Sequence, residues 1–213
     1  MVFGTLYGFG FFFGYAFAPL MHMRPVPMIA LGNGVLVLAF ALLVASYALR
    51  VWGSSYLRAR TVWHGDTVNE TLIEDGPFAY TLNPLYLANI FMAVGFGLLA
   101  PPAGLAFIVV GNVVFNEMLI AVEERRMHET MGAQFDAYCA RVPQLLPRLM
   151  PAGVATHTAA SLSEGLRSEI FFACLIAGAF AWIFTPHFGF AIFIALYAAG
   201  IGIQSRVAAA ASC

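Results

Sequence analysis

Lysine is absent from this chain of 213 residues; all ten basic side chains are arginine. Charge of either sign is scarce at 10% of residues, where a soluble globular chain carries about 25%. The formal net charge of −1 leaves no basic field to attract nucleic acid. Cysteine is almost missing. Cys139, Cys174 and Cys213 are odd in number, widely spaced and form no C-x-x-C pair, so neither a disulfide framework nor a metal site of zinc type is indicated. No positive stretch precedes Ala16-Phe17-Ala18, so this signal-peptidase-like triplet is expected to sit in a retained first helix.

What abounds is apolar. Hydrophobic residues make up 61% of the chain and the mean hydropathy is +0.83. A soluble fold of this size could not hide so much apolar surface, because its interior is limited by its surface-to-volume ratio. A bilayer removes that limit. A spanning helix needs about 20 mainly apolar residues, and the sequence predicts about six such segments: Val2–Leu20, Met28–Trp52, Leu85–Ala100, Ala103–Val122, Arg167–Phe184 and Phe188–Gln204. Pro25 and Pro27, Pro101-Pro102, and Pro186 with Gly189 punctuate them in pairs. The expected fold is all-α and polytopic, three hairpins joined by two long polar segments, Gly53–Asn83 and Glu123–Glu164.

Arginine placement predicts the orientation. Arg50, Arg58 and Arg60 flank the first polar segment, Arg125, Arg126, Arg141, Arg148 and Arg167 lie in or beside the second, and Arg206 follows the last helix. Only Arg24 falls in a short turn. The positive-inside rule then puts both polar segments and both termini on the cytoplasmic face. The arginine-only basic set beside abundant alanine fits a GC-rich bacterial genome, so the expected location is a bacterial inner membrane. In the first helix Gly4, Gly8, Gly10 and Gly14 form small-x-x-x-small pairs. Packing within the chain is their expected use, with a homodimer seam as the alternative.

Polar residues at membrane depth are costly, so their positions are informative. Asn112, Asn116 and Glu123 share one helix face, with Glu124 beside them. Taken alone, the asparagines read as glue between helices and the glutamates as interfacial charges. Met127, Met131, Phe135, Tyr138 and Val142 recur at three- and four-residue spacing, which predicts an amphipathic helix along the cytoplasmic surface, loosened by Gly132 and ended by Pro143 and Pro147. Upstream, Asp75-Gly76-Pro77 is a turn, and Asn83-Pro84 is a strong helix start whose free N–H groups suit an anion.

Together these stretches carry a family resemblance. Gly76-Pro77-Phe78-x-Tyr80-x-x-Asn83-Pro84-Leu85-Tyr86 resembles a motif of the isoprenylcysteine carboxyl methyltransferases and the related phospholipid N-methyltransferases. Glu123-Glu124 followed by Gly132-x-x-Phe135-x-x-Tyr138-x-x-Arg141-Val142-Pro143-x-x-x-Pro147 resembles the second element of the same families. The resemblance implies an S-adenosylmethionine-dependent methyltransferase acting on a lipid or lipidated acceptor at the cytoplasmic membrane face. It implies cofactor contacts at Leu72, Gly76, Tyr80, Asn83, Pro84, Leu85, Tyr86, Glu123 and Tyr138, and catalytic roles for Arg141 and Glu124. The chain is then expected to be one transmembrane domain: a first hairpin over 1–52, a cofactor-binding core over 53–150, and an added C-terminal hairpin over 151–213.

For a carboxylate acceptor, Arg141 would hold the nucleophile by a bidentate contact. An amine acceptor needs a base instead, for which Glu124 and His64 are the candidates. The chain departs from the family pattern at Leu82, Asn83, Ala88 and Gln144, which bears on the substrate class more than on the reaction. Three other readings stand beside the carboxylate one: a phospholipid amine N-methyltransferase, an NADPH-dependent reductase of sterol type, and a non-catalytic membrane subunit. Asn89, where the reductase motif has glutamate, speaks against the second of these.

Overall fold

A computed structural model describes residues 7, 9–10, 13–14, 16, 27–57, 72–185 and 188–211. The expectations for Gly4, Gly8, Arg24, Pro25, Arg58, Arg60, His64, Pro186, Cys213 and most of the first helix lie outside them. Within that helix, Tyr7, Phe9, Gly10, Phe13, Gly14 and Ala16 are helical.

The described residues are all-helical, without strands. A 3-10 turn over Met28–Leu31 precedes α1 (Asn33–Ser54), and a second, Gly76–Ala79, precedes α2 (Pro84–Leu98). They are followed by α3 (Pro102–Met131), α4 (Ala133–Arg141), α5 (Leu162–Ser168), α6 (Ile170–Phe184) and α7 (Gly189–Ala211). Prolines stand at the first positions of α2 and α3, where the missing N–H costs nothing. α1 and α3 are long and apolar enough to cross a membrane, and α5 with α6, meeting at 61°, pass as one further bent span. α2 and the Ala191–Val207 part of α7 are apolar but shorter. Among the described residues, two to three spans therefore stand on length and composition; the first of the six expected lies mostly outside them. Val37, Leu38 and Val44 on α1 and Val110, Val114 and Met118 on α3 are exposed, as lipid-facing apolar surface would be.

Three differences from the sequence expectation have local causes. The fourth predicted helix does not stop at Val122 but runs on to Met131, because no breaker intervenes before Gly132. Gly132, with φ +51, then separates α3 from α4, so the amphipathic stretch is two helices. The fifth predicted helix, Arg167–Phe184, is broken at Glu169 (φ −106, ψ 13) into α5 and α6.

The chain divides into two compact units. The first comprises Met1–Ser46 and Tyr86–Thr130. Its core is built on close helix approach: a Cβ on Gly14 would stand 2.8 Å from the Cα of Gly104 on α3, so Gly14 packs within the chain. A ladder of buried amides crosses this core. Asn112 Nδ2 donates to the Tyr7 hydroxyl at 3.2 Å, Asn116 Nδ2 to Asn112 Oδ1 at 3.0 Å, and Asn89 Nδ2 to Asn116 Oδ1 at 3.3 Å. Asn112 and Asn116 are thus glue, as read from their spacing. Each satisfies polar atoms that a dry interior would otherwise leave unpaired.

The second unit comprises Tyr47–Leu85 and Met131–Cys213. Here the end of α1 meets the start of α6 through a buried cluster. Arg50 Nε donates to Glu169 Oε2 at 2.5 Å, Ser54 Oγ donates to Glu169 Oε1 at 2.5 Å, and the Arg50 guanidinium lies 3.8 Å from the centre of the Phe172 ring. Ser161 N–H donates to the Ser55 carbonyl at 2.7 Å, tying the start of α5 to the same corner.

Candidate functional site

Residues 76–85 of the first motif and 132–147 of the second lie in the second unit and are bonded to each other. Gly76 opens the first. Its φ of +60 and the Tyr56 ring, 2.3 Å from where a Cβ would be, require glycine. The turn Gly76–Ala79 then leads to Thr81 and Asn83, both buried. Leu82 N–H donates to the Pro143 carbonyl at 2.9 Å, Asn83 Nδ2 to the Gln144 carbonyl at 3.1 Å, and Thr81 Oγ1 to the carbonyls of Gln144 and Leu145, each at 3.1 Å. Arg148 N–H returns to the Tyr80 carbonyl at 3.0 Å. The Asn83-Pro84 start of α2 is therefore clasped by the second motif.

Tyr138 and Arg141, three residues apart on α4, reach back to the turn from one helix face. The Tyr138 hydroxyl donates to the Phe78 carbonyl at 2.7 Å. Burial and the nearby Glu74 carboxylate push its pKa well above the ordinary tyrosine value, so it stays protonated at any physiological pH. Arg141 Nη2 donates to both Glu74 oxygens, at 3.0 and 2.8 Å. Its Nε is buried with no hydrogen-bond partner. Beside it an open cleft of about 370 Å³ is lined by Cys139, Ala140, Arg141, Val142, Pro143 and Arg148.

Phe135, Tyr138 and Val142 are all buried. The apolar face expected to lie on the membrane surface is thus consumed by protein packing over this part of the stretch. Tyr80 is half-buried, its ring 6.1 Å from that of Trp52; Leu72 and Pro84 are buried and Leu85 is half-buried.

The remaining predicted site residues belong to the first unit. Tyr86 begins it, and Glu123 lies in the same unit on α3. Glu124 follows on the same helix, half-buried.

Glu74 and Asp75 were not singled out by sequence reasoning, yet they organise the second unit's site. Glu74 takes Arg141 and also accepts the Val154 N–H at 2.8 Å. Asp75 accepts the Thr156 and Thr158 N–H groups at 3.1 and 2.8 Å and the Thr156 hydroxyl at 2.5 Å. These bonds, led by the Thr156 hydroxyl, hold the Asp75 carboxyl below the usual carboxylate range. The available signal was a pair of adjacent acids at a Gly-Pro turn with Thr-x-Thr some eighty residues on. Among the described residues, no three His, Cys, Asp or Glu side chains converge as metal ligands would.

Comparison with known proteins bears on the first motif. The phospholipid methyltransferase family model matches residues 35–134. That segment contains the first motif with Glu123 and Glu124, and it stops before Tyr138 and Arg141. Over 128 residues the chain is 29% identical to the cobalt-zinc-cadmium resistance protein CzcN of Cupriavidus metallidurans, covering 58% of this chain and 55% of that protein. The chain thus spans about half the length of that curated relative. No solved structure matches it. Over residues 35–134 the chain is similar to the phospholipid methyltransferase family, and its long apolar helices suit a membrane protein.

Proposed function

We propose that this chain is a membrane methyltransferase that uses S-adenosylmethionine to methylate a lipophilic carboxylate at the cytoplasmic face of a bacterial inner membrane. The observation that carries the reading is the clasp of the two motifs. It leaves one buried donor, Arg141 Nε, without a partner beside an open cleft. A buried N–H left unpaired costs about 1–3 kcal/mol, which an anionic oxygen entering the cleft would recover.

The donor set fits the cofactor. When bound, it supplies an electrophilic methyl group on a sulfonium. On the strength of the resemblance, the positive dipole end of α2 at Asn83-Pro84 would face the cofactor's carboxylate. Tyr80 and Tyr138 offer ring faces to a cation, an attraction of about 0.5–2 kcal/mol. Gly76 shapes the turn, and Leu72, Pro84 and Leu85 supply apolar lining. Tyr86 and Glu123 are proposed as further cofactor contacts, and Glu124 as a partner for the ammonium group, on the strength of the resemblance. A carboxylate nucleophile needs no proton removed, so positioning and exclusion of water supply the acceleration. That suits Tyr138, whose proton is held. Arg141 would orient the acceptor while Glu74 fixes the guanidinium.

The matched family's description favours a second reading, a phospholipid amine as acceptor. The six-span arrangement, with 53–150 as the working core, is part of the same proposal.

The first test is ligand binding to the purified protein in detergent. Thermal stabilisation by S-adenosylmethionine or its demethylated product is expected; stabilisation by NADPH alone would replace this reading with the reductase one. Glu124→Gln should weaken cofactor binding about ten-fold, as loss of one charge-assisted contact does. Unchanged affinity would confine Glu124 to structure.

A further inference from the structure

We infer that Arg148 is a specificity-determining residue of the cleft beside Arg141: the two side chains together make a site for one singly charged oxyanion, and Arg148 selects ligands that carry one over uncharged analogues. The inference rests on the reading of this cleft as the acceptor site and deepens it. Arg148 stands past Pro147, the last position of the second motif, and past residue 134, where the family match ends. Charge is the first observation. Arg50, Arg125, Arg141 and Arg167 each meet a glutamate. Arg148 meets no acid among the described residues. Its backbone N–H donates to the Tyr80 carbonyl at 3.0 Å, and its Nη1 to the Arg141 carbonyl at 2.9 Å. The second of these bonds closes the C-terminal end of α4, where a cation is favoured. A carbonyl holds a guanidinium in place but does not neutralise it. A guanidinium carries five N–H donors in a fixed fork, and this bond uses one of them.

The cleft is the second observation. Of the residues that line it, Arg141 and Arg148 are basic and none is acidic. Glu74 balances Arg141 through both carboxylate oxygens, so the cleft is left with the one charge of Arg148. It is also left with the buried Arg141 Nε, which has no partner. One uncompensated charge, with donors from two guanidinium groups, suits a carboxylate or a phosphodiester, each of which carries a single negative charge over two oxygens. Ala140, Val142 and Pro143 give the same cleft an apolar wall. Its volume of about 370 Å³ is room for a charged head and the start of a hydrocarbon stem. A helix cap alone would leave the choice between anion and uncharged ligand untouched, and that separates the two roles of Arg148.

The test measures binding and needs no turnover. Octanoate, the phosphodiester methyl octyl phosphate and the uncharged ester methyl octanoate are titrated against the protein in phosphatidylcholine nanodiscs, with empty nanodiscs subtracted. The unaltered protein should bind one of the anions at least about ten-fold more tightly than the ester. Which anion it prefers assigns the group as a carboxylate or a phosphodiester. Arg148→Gln keeps a donor for the Arg141 carbonyl and removes the charge. It should lower the anion preference about ten-fold, as loss of one charge-assisted contact does, with ester binding unchanged. Arg148→Lys, which retains the charge, should keep most of the preference. A parallel loss for anion and ester, or a preference that survives Arg148→Gln, would overturn the inference and leave Arg148 as a helix cap. So would an unaltered protein that binds anion and ester alike. Failure of S-adenosylmethionine to bind would instead remove the methyltransferase reading, while the anion preference would stand on these titrations.

Discussion

Among the described residues, the second unit contains two long-range arginine–glutamate pairs that look alike and differ in what they leave over. Arg50 and Glu169 are both buried, and their remaining capacity is absorbed by Ser54 and the face of Phe172. Arg141 and Glu74 are asymmetric: the glutamate side chain is 6% exposed, the arginine 36%. That arginine retains an unpartnered Nε beside a cleft. A closed pair can only hold structure. An open pair can hold structure and still offer a donor.

The contrast can be broken most severely at the closed pair. Glu169→Ala strands a buried guanidinium and should cost about 3–5 kcal/mol, seen as a large fall in Tm in detergent. Replacing both partners by apolar residues, Arg50→Met with Glu169→Leu, should recover most of that loss. A double variant as unstable as the single one would show that the cluster acts through something other than paired charge.

At the open pair the balance reverses. Arg141→Ala should cost less stability than Glu169→Ala, because the arginine is about a third exposed and Glu74 keeps the Val154 N–H. Methyl transfer should fall at least about a hundred-fold, as it does when one oriented donor is removed. Retained turnover would take Arg141 out of the mechanism.

The smallest effect tests the acids that hold the strap at 153–158. Asp75 has a folded pKa below its unfolded value of about 3.9. Its carboxylate therefore contributes stability above that value and loses the contribution as pH falls through the lower folded one. Asp75→Asn should lower Tm by a few degrees or less at neutral pH. The gap to the unaltered protein should close on acidification below about pH 4; a gap that persists there would assign the effect to shape and not to charge.

Much of this was legible in the sequence because it depends on local chemistry. Asn83-Pro84 starts a helix because proline suits only the first turn, and α2 begins there. Spacing assigned Asn112 and Asn116 to one face, and they are bonded at 3.0 Å. The roles of Glu74 and Asp75 were not legible, since their partners Arg141, Val154 and Thr156 stand 67 to 81 residues away. The helical pattern was expected to continue past the span through the charged run Glu123–Glu129, and α3 does run on to Met131, since charge ends a membrane span without breaking a helix.

The sequence by itself determined that this chain belongs in a bilayer, that its elements are helical, and that two polar segments carry a methyltransferase resemblance. Those properties follow from composition, periodicity and short motifs, which are additive along the chain. Only the tertiary structure decided that the two motifs clasp each other, and that one arginine is closed by its neighbours while another keeps a free donor. It also turned the apolar face of α4 inward. Each of these depends on which distant groups satisfy a buried polar atom first, and neither spacing nor composition specifies that competition.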